Sequence, residues 1–193
     1  WIHWIREVEE EHHSFVGILL DLQGPKIRVG KFKEGSIHVK RGQRLTFTTE
    51  KKIGDETLVP VQYPRFHEEV TKGGKIFLDD GKLSGVVRQV SGQRAEVEIL
   101  TGGILSDHKG INLPDSKITA DPITSKDKAD LKFGVQEGVD MVALSFTGCA
   151  KDVRRLKSLI KKYGSPEIEV IAKIERKQAV DNPEEIVEEA DGV

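Results

Sequence analysis

A chain of 193 residues is long enough for one good hydrophobic core, or for one domain with a second inserted into it. Its formal net charge of -2, with 32% of residues charged and the signs intermixed, excludes an electrostatic case for nucleic acid or a polyanionic surface as partner. The lone Cys149 excludes an internal disulfide framework and makes a cytoplasmic setting the expectation, and no apolar run reaches bilayer length, so no membrane partner is expected either.

The first predicted element is a helix, because Ile2, Ile5 and Val8 recur at helical spacing from the first residues onward. A mostly apolar strand follows in FVGILLDLQGP, residues 15–25. Residues 26–119 then read as short alternating runs broken by turns, among them SIHVKRGQRLTF, KIFLDDGKLSGVVRQV and RAEVEILTGG. Short strands with glycine-containing turns and no long helical pattern predict a small all-β domain. No fixed-period repeat and no low-complexity tract is present.

From about residue 120 the texture changes to helices and apolar strands in alternation. TSKD, from Thr124 to Asp127, has capping-box form and opens a helix running toward Gly138. DMVALSF is a short apolar strand. AKDVRRLKSLIKKYG places Val153, Leu156, Leu159 and Ile160 on one stripe, with Lys161 and Lys162 near its end and Gly164 as the stop. A strand is predicted over 167–175, and Asn182 with Pro183 marks the start of a last helix. Such alternation indicates parallel βα units. The fold class predicted is therefore α/β, one domain interrupted after its first strand by an all-β insertion. The missing initiator Met, a helix under way at the first residues and an ending, EEADGV, where apolar character resumes lead to the expectation of a fragment.

One strand carries the functional question. In VIAKIERK, residues 170–177, Lys173 and Glu175 lie within a run of Val, Ile and Ala. Successive strand side chains point to opposite faces, so these two share one face while Val170, Ala172 and Ile174 share the other. Unpaired buried charge is costly, so the polar face calls for a partner, a metal or a ligand. From the strand alone, a structural ion pair at a strand end is the preferred reading, since ion-pair networks also sit in such places. In a βα barrel, however, the chemistry sits at the C-terminal ends of the strands, and Asp21, Ser145, Lys173 and Glu175 all fall near such ends.

Five segments taken together resemble the pyruvate kinase family: LLDLQGPKIRVG (19–30), FLDDGKL (77–83), KGINLPD (109–115), SKDKADLKFGVQEGVDMVALSF (125–146) and VIAKIE (170–175). They run colinearly over nearly the whole chain. The resemblance implies a (β/α)8 TIM barrel with a β-barrel lid inserted after the third strand. Residues 1–25 would be the second helix and third strand, 26–119 the lid, and 120–193 the third helix to the start of the sixth strand. It also implies transfer of the phosphoryl group of phosphoenolpyruvate to ADP, leaving an enolate that is protonated to pyruvate. Full-length relatives of this kind are usually homotetramers.

Residue by residue, the resemblance assigns Lys173 to the transferring phosphoryl group and Glu175 to Mg²⁺ (or Mn²⁺), a hard cation suited to oxygen donors. Asp21 matches the monovalent-cation position; without the motif it reads as a turn aspartate bonding the backbone before Gly24-Pro25. Arg28 matches an arginine near the nucleotide phosphates, or is a solvated strand charge. Lys109 meets nucleotide phosphates, or is a solvated loop lysine. Asp79-Asp80-Gly81 is first a hairpin turn, with Asp80 a secondary contact to nucleotide or metal as the lid closes. Ser145 touches the cation region, or simply ends its strand. Gly148 departs from the family, which usually has Arg there.

Lys26 is the most informative departure. Most members have Glu at that position, and the set Leu22, Gln23, Lys26, Val29 resembles the class that needs no potassium. An ammonium beside the site can supply the positive charge K⁺ otherwise provides; an exposed hinge lysine is the alternative. The family's second metal carboxylate and its substrate arginine fall outside residues 1–193, so the chain is expected to be inactive alone. Two rival functions remain in view. A related phosphoenolpyruvate/pyruvate lyase or aldolase would lack the 26–119 insertion, and a non-catalytic lid-bearing binding protein would lack the second carboxylate.

Overall fold

The computed structural model describes all 193 residues. In chain order the elements are α1 (Ile2–His12), β1 (Leu19–Leu22), β2 (Ser36–Val39), β3 (Arg44–Thr48), β4 (Leu58–Pro60), α2 (Phe66–Glu69), β5 (Lys75–Leu78), β6 (Leu83–Ser91), β7 (Arg94–Thr101), β8 (Gly103–Ser106), β9 (Ile111–Asn112), α3 (Ser125–Gln136), β10 (Met141–Leu144), α4 (Ala150–Tyr163), β11 (Glu169–Ala172), α5 (Lys177–Asp181) and α6 (Pro183–Glu189). They fall into two compact units, one formed by Trp1–Pro25 with Ala120–Val193, the other by Lys26–Thr119.

The first unit is mixed α/β. Its sheet has three parallel strands in the order β1-β10-β11. Leu20, Val142 and Val170 align in one row and Leu22, Leu144 and Ala172 in another, both on one face. Most of these residues are buried in one cluster with Leu131 and Val135 of α3, Val153, Leu156 and Ile160 of α4, and Ile186 of α6. Each fully buried aliphatic side chain contributes about 1.5–3 kcal/mol relative to exposure, and this face holds the helices on the sheet. Rows of the opposite pleat carry Asp21, Ala143 and Ile171.

Local signals explain the helices. Thr124 accepts from the Asp127 N–H, and Asp127 returns bonds to the Thr124 backbone, closing the expected capping box at α3. Gly164 ends α4 at φ 107, where a Cβ would be strained. Asn182 and Pro183 begin α6 as expected, although the Asn182 side chain makes no cap bond. Two aspartates fasten the strand starts. Asp140 accepts from Ile18 N at 2.6 Å and from Arg6 at 2.9 Å; Asp191 accepts from Val170 N at 2.8 Å and pairs with Lys157 at 2.9 Å.

The second unit is nearly all β. A six-stranded sheet runs β4-β3-β7-β6-β5-β9, antiparallel except for β3 with β4, and β2 pairs with β8. Phe47, Phe66, Leu45, Ile76, Leu78 and Ile99 are fully buried, with Phe47 and Phe66 stacked at 6.0 Å. The one-turn α2 supplies Phe66 and a polar anchor. Glu69 accepts from the Tyr63 hydroxyl at 2.7 Å and from the Thr119 hydroxyl at 2.6 Å.

Two expectations need correction. The strand predicted over 167–175 is hydrogen-bonded only over Glu169–Ala172, so Lys173 and Glu175 follow the strand rather than lie in it. The neighbouring β10 ends at Leu144, whose carbonyl accepts from Lys173 N at 3.1 Å, and beyond it the chain turns away at Phe146, leaving no ladder partner. The strand expected over 15–25 is likewise limited to Leu19–Leu22, paired with Met141–Leu144. Leu159 lies on the expected α4 stripe, partly buried against the same cluster.

Candidate active site

The pleat explains why four polar side chains meet. Asp21 pairs in register with Ala143 on the face away from the helices, and Ser145 is two residues on, hence on that same face. Lys173 continues the matching row of β11, and Glu175 keeps its parity. Three adjacent parallel strands therefore deliver Asp21, Ser145 and Lys173 to one rim.

Their geometry is tight. Lys173 Nζ lies 3.1 Å from Asp21 Oδ2, 3.0 Å from Ser145 Oγ and 3.5 Å from Glu175 Oε1. The Ser145 hydroxyl donates to Asp21 Oδ1 at 3.1 Å, and Ser145 is only 4% exposed. Partial burial pushes the Lys173 ammonium down, but the hydrogen bond to Asp21 and the charges of Glu175 and Asp21 outweigh it and leave the group above its ordinary value. It stays a cation at any physiological pH.

Glu175 is held by a second device. Its Oε2 accepts from the backbone N–H of Phe146 at 2.8 Å. Phe146 has φ 56, the left-handed region, which a bulky residue occupies at a cost of about 1–3 kcal/mol. The Arg176 guanidinium stands 5.8 Å from the centre of the Phe146 ring, within cation–π range. A Cβ at Gly24 would come within 2.9 Å of the same ring. Gly24, at φ 63, also donates its N–H to the fully buried Asp127 at 3.2 Å. The turn aspartate of the alternative reading is thus Asp127 rather than Asp21, which is committed to Lys173 and Ser145.

The remaining expected residues belong to the second unit. Arg28 donates to the His108 carbonyl at 2.8 Å and is half-buried, so it is not a freely solvated charge. Lys109 pairs with Asp79 Oδ1 at 2.9 Å, and Lys82 with Asp79 Oδ2 at 3.2 Å. The Lys109 bond, then that of Lys82, holds the Asp79 carboxyl below its ordinary range. Asp79, Asp80 and Gly81 all have positive φ, which makes the β5–β6 connection the expected turn. Asp80 and Lys26 are exposed.

No three acidic, His or Cys side chains converge on one point. The oxygen donors at the rim are the carboxylates of Asp21 and Glu175 and the Ser145 hydroxyl, and one or two carboxylates completed by waters and ligand phosphate oxygens are a set that a hard cation such as Mg²⁺ accepts. Glu175 has one oxygen taken by a backbone N–H and the other on the Lys173 side. Nothing in the sequence marks Phe146, the pairing of Asp79 with Lys109 and Lys82, or the double role of Asp127. An Asp at the third position of a capping box signals only the cap, and nothing in SFTG announces a left-handed Phe.

The family model for the barrel domain of pyruvate kinase matches residues 1–193. A pyruvate kinase of Clostridium perfringens is 39% identical over 193 residues, all of this chain and 41% of that protein. One of Thermococcus litoralis is 41% identical over 192 residues, 40% of its length. A crystal structure of a pyruvate kinase from Cryptosporidium parvum superposes with a TM-score of 0.90 at 32% identity, covering 97% of this chain and 40% of that one. The chain thus spans about two fifths of the length of the relatives it matches.

Proposed function

The chain belongs to the pyruvate kinase family, and on that premise we propose that the complete gene product containing it moves the phosphoryl group of phosphoenolpyruvate to ADP. The bond between the phosphorus and the enol oxygen breaks, a bond to the terminal oxygen of ADP forms, and the released enolate takes up a proton to give pyruvate. On this reading the parallel sheet is part of a closed (β/α)8 barrel, and residues 26–119 are its inserted lid. The protein acts in the cytoplasm, as a homotetramer.

The single observation that supports the reading is the convergence of Lys173, Asp21, Ser145 and Glu175 at the C-terminal rim of three parallel strands. Phosphoryl transfer is catalysed mainly by positioning and by neutralising charge on the phosphoryl oxygens. Lys173 supplies that positive charge, kept protonated and aimed by Asp21 and Ser145. Mg²⁺, or Mn²⁺, neutralises phosphate charge when bound, with Glu175 as one ligand. Arg28, Lys109 and Asp80 are assigned to the nucleotide. Lys26 replaces K⁺, on the strength of the set Leu22, Gln23, Lys26, Val29, and Asp21 keeps the position at which other members bind the monovalent ion.

The activity is tested by pyruvate release from phosphoenolpyruvate and ADP with Mg²⁺: no release by the wild type would refute it, and a Lys173→Met variant as fast as the wild type would refute the role of Lys173. The potassium reading is tested by replacing KCl with choline chloride: an unchanged rate is expected, and a strong fall counts against Lys26 as the substitute.

A further inference from the structure

Phe146 is a half-buried aromatic in a backbone conformation that aromatic residues avoid, and no step of the proposed reaction uses its side chain. Strain of this kind persists only where the surroundings over-determine it. Here two neighbours do so. The Arg176 guanidinium lies over the ring at 5.8 Å, and Gly24 leaves room beside it that any Cβ would close to 2.9 Å. The consequence of the left-handed turn is chemical: the Phe146 N–H points at Glu175 Oε2, 2.8 Å away.

We infer that Phe146 is a positioning residue for the divalent-cation ligand: its ring, packed beside Gly24 and the Arg176 guanidinium, holds the peptide N–H on Glu175 Oε2 and so leaves Oε1, on the Lys173 side, for the metal. The inference rests on the proposed role of Glu175. A free carboxylate on a loop past a strand end samples several rotamers, and each must be lost on binding a cation. One charge-assisted bond from a fixed backbone donor removes that freedom in advance. Arg176 and Gly24 then matter through the ring rather than through the metal. This accounts for a glycine at position 24 independently of its own φ.

The test measures Mn²⁺ dissociation, by electron paramagnetic resonance of the free ion, in the complete gene product. Phe146→Leu, which removes the aromatic ring, is expected to weaken Mn²⁺ binding about tenfold, close to the loss of one hydrogen bond to a charged group. Phe146→Tyr, which keeps the ring, restores binding to within about twofold of wild type. Circular dichroism confirms that each variant is folded, and the amide proton shift of residue 146 reports the bond directly. That shift should move upfield in Glu175→Gln. If Glu175→Gln leaves Mn²⁺ binding unchanged, the metal role of Glu175 itself fails. If Glu175→Gln weakens binding but a folded Phe146→Leu binds as the wild type does, only the positioning role fails. An amide shift indifferent to Glu175→Gln also overturns it.

Discussion

Lys173, one residue past the end of β11, and Asp21, in β1, are joined by a 3.1 Å contact that spans the central strand β10. The sheet places them there because both lie on the face opposite the helices, and Ser145 fills the gap between them with a hydroxyl bonded to each. The ammonium is thereby pointed before any ligand arrives. Lys173→Met should lower kcat about 10²–10³-fold, the scale of losing one preorganised charge-stabilising donor. KM for phosphoenolpyruvate should change far less. Steady-state kinetics on the complete gene product decides it.

The two strand-start aspartates make a pH prediction. Burial pushes both carboxyls up, but Arg6 and the Ile18 N–H outweigh it for Asp140, and the Val170 N–H and Lys157 for Asp191, so both stand below the ordinary 3.8. Their folded pKa values are depressed, so the stability they add is complete above the unfolded value and is lost as pH falls through the folded one. Asp140→Asn should cost about 1–2 kcal/mol near neutral pH and progressively less below about pH 4, as the wild-type carboxyl itself protonates. Urea unfolding at several pH values checks this. A penalty that stays constant down to about pH 2 would mean that the charge is immaterial.

Asp127 serves two structures at once, closing the α3 capping box and receiving the Gly24 N–H. Asp127→Ala should therefore destabilise by about 2–3 kcal/mol, more than the roughly 1 kcal/mol expected for Thr124→Ala, which removes a cap alone. Thermal unfolding of the two variants gives the comparison. Equal losses would show that the Gly24 bond adds nothing.

In the second unit, Glu69 ties the Tyr63 hydroxyl to Thr119. Burial, reinforced by Glu69, pushes the Tyr63 phenol far above its usual range, so it remains a donor through alkaline conditions. Tyr63→Phe should cost about 1.5–3 kcal/mol, the scale of a hydrogen bond to a charged group. Faster amide exchange at Thr119 in that variant would locate the loss.

The parts of the fold that obey one local rule were legible in the residues. Thr124 to Asp127, the Val153–Ile160 stripe with Gly164 behind it, and the Asp-Asp-Gly turn each carry their own period or cap. What could not be read was set by non-local partners. The strand end at Ala172 depends on where β10 stops, and the lysine expected in the strand sits one residue beyond it. Alternation nevertheless put Lys173 and Glu175 on the correct shared side, because parity survives the end of the ladder for a residue or two. Asp79 as the holder of Lys109, and Phe146 as the donor to Glu175, arise from loops meeting across long stretches of sequence. No spacing encodes those meetings.

If the Glu175 carboxylate and the Lys173 ammonium act together on a metal-bound phosphate, the deciding measurement is the rate of pyruvate formation by the Glu175→Gln variant of the complete gene product with saturating Mg²⁺. A fall of about 100-fold or more is expected, the loss of several kcal/mol of charge stabilisation at the metal. A rate within about twofold of wild type would mean that the Lys173–Glu175 pair is an ordinary ion pair at a strand end, and that the chemistry lies elsewhere.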